Sequence, residues 1–424
     1  MTSTDDRLSP RQWLLLFILA AVQFTHIIDF MLAMPLSKQL MADLRLDADR
    51  FGWVMSSYGF SACVAGFVLA SVVDRFDRRS ALAFLFGGFT LSTLLCAWAP
   101  SYEWLLAGRI AAGAFGGVAG AVVLSIIGDA YPLSRRGTAT GVVFSAFSIA
   151  TIVGIPASIA LAGTEPAGWR TPFLVLGLLS LGLLPVLWLV VPNLRGHIVS
   201  RVERYPLLLV ATRPAHLRAF LFMFVLNLSS WTVLPFLPAF LQNNVGLTSF
   251  HLQLMYAIGG VGTLLSTNLA GRLSDRFSRW TVFQVTAALA IVPLAGLPLL
   301  PAVAPIVGVL ALTTALMVLT SARGVPAFAL LTAVPSNAER GAFLSVNSSV
   351  LQLAMACGPV LAGLFLKGGE DGAPLVGYEK VGAMSAVFGV ASVLMIHLIS
   401  AGPKPAPAPE PDEAIREPAE GVRA

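Results

Sequence analysis

Twelve predominantly apolar runs succeed one another along the chain, near 13–36, 51–73, 80–99, 103–130, 137–162 and 170–192, then 217–241, 250–271, 280–300, 303–331, 340–366 and 380–401. A helix rises 1.5 Å per residue, so about 20 apolar residues cross the hydrocarbon of a bilayer. Inside that layer every backbone N–H and C=O needs an internal partner, which a long helix supplies. The expected fold is therefore an all-α polytopic membrane protein with twelve transmembrane helices. The first run carries His26 and Asp29. It is also longer than the roughly 7–15-residue apolar core of a cleaved signal, so it too reads as a span.

Charge content closes off the soluble classes. Charged residues make up 12% of the chain and hydrophobic ones 56%, against about 25% and 45–50% in a soluble domain. Cys63, Cys96 and Cys357 stand singly in apolar runs and offer neither a disulfide framework nor metal spacing. No metal and no cofactor is expected. The net charge of +5 reads as membrane orientation, and no nucleic-acid partner is expected.

Two polar knots mark a duplicated chain. Asp74-Arg75-Phe76-Asp77-Arg78-Arg79 follows the second run, and Asp275-Arg276-Phe277-Ser278-Arg279 follows the eighth, 201 residues on. Arg136-Gly137 opens the fifth run and Arg340-Gly341 the eleventh, 204 apart, and at that spacing Ala150 and Gly154 fall on Ala354 and Gly358. Such repeats are a common plan of secondary transporters. The expected domains are an N-terminal segment 1–12, a six-helix bundle 13–192, a basic central loop 193–216, a second six-helix bundle 217–401 and a disordered tail 402–424. Loops on one side hold sixteen Arg, and those on the other hold six Lys and Arg. The positive-inside rule then puts both termini in the cytoplasm, in a plasma membrane of the bacterial inner-membrane type.

Six spans per half, a DRFxR loop after the second and an RG turn before the fifth resemble the major facilitator superfamily across essentially the whole chain, two pseudo-symmetric six-helix bundles. That family's loop motif, Gly-x-x-x-Asp-Arg-x-Gly-Arg-Arg/Lys, is matched by Asp74, Arg75, Arg78 and Arg79, with Ala70 and Asp77 where Gly is usual. The second copy keeps Gly271 and has Ser278 for the later Gly. The resemblance implies alternating access, a small-molecule substrate, the lipid bilayer as surroundings and a monomer. It also implies an inner gate in which Asp74 pairs with Arg78 one turn on, with Arg75 and Asp129 beside them. Asp275, Arg276 and Arg279 are the counterpart, and simple anchoring of a tight loop is the plainer reading.

Arg109 lies about seven residues, or roughly 10 Å, below the outer end of the fourth run. Facing lipid it would cost at least about 2.5 kcal/mol, so it needs a partner in protein or water. Asp29 sits at the same depth in the first run, and His26 precedes it by one turn on the same face. Arg109-x-x-x-Gly113 resembles the fourth-span motif of proton-driven family members. That makes Asp29, Arg109 and His26 the candidates for coupling to protons, against a structural ion pair beside a packing histidine. In general a carboxylate alone in apolar surroundings keeps its proton and one beside a guanidinium gives it up, so parting such a pair alternates uptake and release.

Gln23, Asn227, Trp231, Asn347 and Gln352 are candidate cavity residues, or interhelical hydrogen-bonders. Arg323, beside Gly324 and Pro326, is expected at a broken turn, as an anion contact or a brace. Gly141, Gly154 and Pro156 make a degenerate copy of the exporters' fifth-span motif, with Ala150 for one Gly. The expected function is proton-coupled efflux of small hydrophobic or amphipathic molecules, resembling the 12-span drug:proton antiporters. Uptake of a sugar or other metabolite on the same fold is the alternative, and a membrane receptor or enzyme a remote one. No nucleophile–base pair or metal cluster favours an enzyme.

Overall fold

The structure, a computed structural model, describes residues 8–73, 75–195, 206–336 and 339–399. Among them are twelve long helices. The first six are α1 Pro10–Leu32, α2 Ala48–Val73, α3 Arg78–Ala97, α4 Tyr102–Ala130, α5 Leu133–Ile149 and α6 Arg170–Val190. The others are α7 Pro214–Trp231, α8 Ser249–Arg276, α9 Arg279–Gly296, α10 Ile306–Leu331, α11 Arg340–Gly363 and α12 Tyr378–Ile399. The rod of α5 runs on through a π-helical turn, Ala150–Gly154, into Ile155–Ala162. Ten of these rods are long and apolar enough to cross a membrane, and α7 and α8 are the more polar two.

Helix starts are set locally. Ser9 and Gln12 form a reciprocal capping box before Pro10, at 2.8 and 3.3 Å. Asp77, where the family motif has Gly, accepts from the backbone N–H of Arg79 and Ser80 at 3.1 and 3.2 Å and so caps α3.

The first span of each half differs from its sequence reading. The run to Leu36 ends as a helix at Leu32, turns over 33–36 and resumes as Ser37–Asp43. Its repeat stops at Trp231, turns over 232–236 and resumes as Leu237–Asn243. Pro35 and Pro235 lie in the two turns, where each withholds a backbone N–H from a continuing helix.

Packing repeats with the chain. In the first half α1 packs on α5 and α6, α2 and α3 on α4, and α3 on α6. In the second, α7 packs on α11 and α12, α8 and α9 on α10, and α9 on α12. The halves meet where α2 lies on α11 and α5 on α8, two contacts that the repeat exchanges. Small residues make these approaches close. A Cβ on Gly59 would stand 3.0 Å from that of Ala356, and one on Gly260 2.8 Å from the side chain of Ile152. The short helices Ser37–Asp43 and Leu237–Asn243 also touch, closing the face away from the arginine-rich helix ends. Near the arginine-rich ends, Gly137, Gly141, Gly271 and Gly341 have open space beside them.

Candidate functional site

The fourth helix of the first half carries its arginine into a sealed site. Arg109 and Asp29 have no exposed surface, and Arg109 Nη1 donates to Asp29 Oδ2 at 3.0 Å. The same nitrogen reaches the Asp29 carbonyl at 2.8 Å, and Nη2 reaches the Phe30 carbonyl at 3.2 Å. Both carbonyls lie in the last turn of α1, so Arg109 caps that helix as well as neutralising its aspartate. The other carboxylate oxygen accepts from Thr93 of α3 at 3.0 Å. The Tyr58 ring lies under the guanidinium at 4.7 Å. Gly113, four residues after Arg109, permits this: a Cβ there would collide with the Tyr58 carbonyl. A buried ion pair survives in low dielectric only when so many of its polar atoms are satisfied.

His26 sits one turn before Asp29, and its ring lies between those of Tyr58 and Phe89 at 6.0 and 6.1 Å. Neither of its ring nitrogens has a hydrogen-bond partner, and the Tyr58 hydroxyl also has none. His26 and Tyr58 form part of the wall of a cavity of about 270 Å³ between the halves. Five methionines, Met31, Met34, Met255, Met317 and Met355, supply much of the remainder. Phe30, Phe147, Trp231 and Tyr256 add aromatic surface, and Phe30 and Trp231 face one another at 5.3 Å. Thr151, Thr263, Thr313, Thr320, Ser321 and Gln352 also line it, the four threonine hydroxyls donating to backbone carbonyls, and no Asp, Glu, Lys or Arg lines it among the described residues.

The other polar residues anticipated near a substrate divide. Trp231 and Gln352 line the cavity; Gln23, Asn227, Arg323 and Asn347 are not among its lining residues. Asn227 donates to the Met223 carbonyl of its own helix at 2.8 Å. Arg323 is no neighbour of a broken turn, because α10 runs through Gly324 and Pro326 without interruption. Its Nη2 crosses to α7, reaching the Leu226 carbonyl at 3.2 Å and the Ser229 and Ser230 hydroxyls at 2.8 and 2.6 Å. The second half thus repeats the arginine on the fourth helix bound to the first, with serines where the first half has Asp29.

At the arginine-rich face, Arg78 Nε pairs with Asp129 Oδ2 at 2.9 Å. Asp74 lies outside the described residues, and Arg75 is exposed. In the second copy Asp275, Arg276 and Arg279 are exposed and form no ion pair among the described residues. The buried acid of that half is instead Glu339, paired with Arg213, with His216 Nε2 at 3.9 Å. Nothing in the apolar pattern announced that cluster, because it lies at span ends. In α5, Gly154 packs against Ile28, Gly141 faces open space, and Pro156 follows the π-helical turn. The turn absorbs the N–H that Pro156 lacks.

The chain resembles known transporters at every level. The family profile described as Major Facilitator Superfamily matches residues 19–324 and again 219–423. The chain is 27% identical over 351 residues to the inner membrane transport protein YdhP of Escherichia coli (strain K12), covering 82% of this chain and 86% of that one. It is 24% identical over 385 residues to the MFS-type transporter YbcL of Bacillus subtilis (strain 168), covering 90% and 95%. Its fold is similar to that of a bacterial homolog of the human lysosomal transporter Spinster in an inward-facing, occupied conformation. The TM-score is 0.76 at 17% identity, over 95% of this chain and 100% of that one.

Proposed function

We propose, from the premise that this chain belongs to the major facilitator superfamily, that this multi-pass membrane transporter exports small hydrophobic or amphipathic molecules in exchange for protons. The observation that carries the reading is the cavity between the halves, walled by methionine and aromatic side chains, with the Asp29–Arg109 pair enclosed behind Tyr58. A sugar importer needs a wall rich in hydrogen-bonding groups, since each substrate hydroxyl left unpaired costs about 1–3 kcal/mol. So apolar a wall favours the export reading over sugar uptake.

In this reading Asp29, Arg109 and His26 couple transport to protons. The bundles 13–192 and 217–401 rock about the α2–α11 and α5–α8 contacts, with Gly154 and Pro156 shaping the second. Arg78 and Asp129, with Arg75 and Asp74, clamp the arginine-rich face, and Asp275, Arg276 and Arg279 serve the other half. That face is cytoplasmic in this reading. Inverted membrane vesicles test the proposal with a lipophilic uncharged fluorophore. An acidified lumen should drive its accumulation only when the protein is present, and dissipating the gradient should release it. Accumulation indifferent to the gradient would refute proton coupling.

A further inference from the structure

We infer that the cavity takes uncharged aromatic molecules carrying one hydrogen-bonding group, and that it rejects permanently charged ones. The inference rests on the proposed export reading and sharpens it to a substrate class.

Three observations support it. First, the wall holds five methionines and several aromatic rings but no ionised side chain among the described residues. Thioether sulfur and ring edges attract flat aromatic surfaces, and the unbranched methionines adapt to different outlines. A bare ion entering such a wall would shed water with no counter-charge to replace it.

Second, the charges behind the wall are already engaged and lean positive. The carboxylate of Asp29 is held by Arg109 and Thr93 with no exposed surface. Arg109 also occupies one face of the Tyr58 ring, at 4.7 Å, and its charge opposes a ligand cation on the other face. Arg323, buried next to the cavity residues Thr320 and Ser321, is held by uncharged oxygens on α7. Two enclosed guanidiniums against one enclosed carboxylate oppose a cation in the cavity.

Third, a few polar atoms of wall residues lack partners: both His26 ring nitrogens, the Tyr58 hydroxyl and Gln352 Oε1. They belong to both halves. A ligand with one polar group can satisfy one or two of them by a small side-chain rotation, while its apolar body fills the remaining space. That identifies the ligand as amphipathic rather than purely hydrocarbon.

An isosteric pair tests this directly. Phenanthridine is neutral at pH 8, and N-methylphenanthridinium has nearly the same shape with a fixed charge. Binding of each to the full-length protein in nanodiscs is measured by equilibrium dialysis, with empty nanodiscs correcting for lipid partition. Phenanthridine should bind saturably, and Met317→Trp, which fills the cavity, should abolish that binding. The cation should bind at least tenfold more weakly, and phenanthrene-9-carboxylate should also be weak. Gln352→Glu, which adds a carboxylate to the wall, should raise affinity for the cation at least tenfold. Equal or tighter binding of either ion by the wild-type protein would overturn the inference while leaving the export reading intact. Saturable binding of neither phenanthridine nor the ions would overturn it as well. Selective phenanthridine binding without gradient-driven transport would instead refute the export reading alone.

Discussion

The rings of Phe30 and Trp231 stand 5.3 Å apart across the cavity, although 201 residues of chain separate them. The duplication thus brings the ends of the first helix of each half face to face. Trp231 ends α7 and Phe30 lies two residues before the end of α1, each ahead of a proline-bearing turn. A contact between rings of the two halves is one that the proposed rocking would break and remake.

In the proposed reading Phe30 and Trp231 act together on substrate. Phe30→Ala and Trp231→Ala should each weaken substrate binding, and a double-mutant cycle should give a coupling of about 0.5–1.5 kcal/mol beyond the lost area. Dialysis with a neutral aromatic ligand measures it. Strictly additive losses would mean that the two rings contact substrate independently.

The Asp29–Arg109 pair should matter for folding as well as for transport. Arg109→Ala strands an enclosed carboxylate and uncaps α1, and should cost about 3–5 kcal/mol in a thermal melt of the purified protein. Thr93→Val removes one hydrogen bond to a charged group and should cost about 1.5–3 kcal/mol. Arg109→Lys should fall between wild type and Arg109→Ala, since an ammonium cannot span the carboxylate and two carbonyls at once. An Arg109→Ala protein as stable as wild type would show that the site relaxes and admits water.

Arg78 and Asp129 should hold the arginine-rich face in register. Asp129→Asn should shift the protein toward the inward-open state, with a fall in turnover and near-normal expression. Crosslinking of cysteine pairs across that face, compared between Asp129→Asn and wild type, reports the shift. Unchanged crosslinking would reduce the loop to an anchor, and Asp74→Asn is the matching variant.

Orientation has its own test. Cysteines introduced at 203 and 410, both outside the described residues, should resist an impermeant maleimide in intact cells and react after lysis. Labelling before lysis would invert the proposed topology.

The sequence was most legible where physics forbids the ordinary. A charge in an apolar run has to find its opposite, and the common depth of Asp29 and Arg109 makes them partners. Asp129 was set beside Arg78 by the family resemblance instead, with Asp74, which lies outside the described residues, as the first expected partner. Neutral residues carry no such penalty, so Tyr58 and Thr93, which complete the ion-pair site, were indistinguishable from other polar residues in spans. Of the cavity wall, Trp231 and Gln352 stood out as polar or aromatic residues in spans, while its methionines were indistinguishable from other apolar residues. Arg323 misled because Gly324 and Pro326 look like a break, whereas α10, packed on α8 and α9, continues through them as one helix. Pro156 is met by a π-helical turn just before it, which no residue pattern announced.

The central claim is that protons drive this transporter through Asp29. The most direct measurement is substrate efflux from proteoliposomes under an imposed pH gradient, wild type beside Asp29→Asn, with downhill exchange followed in the same preparations. The account predicts that Asp29→Asn, folded and able to bind a neutral aromatic ligand, loses gradient-driven transport and keeps exchange. Gradient-driven transport at the wild-type rate in Asp29→Asn would contradict it and leave the pair as a structural tie between α1 and α4.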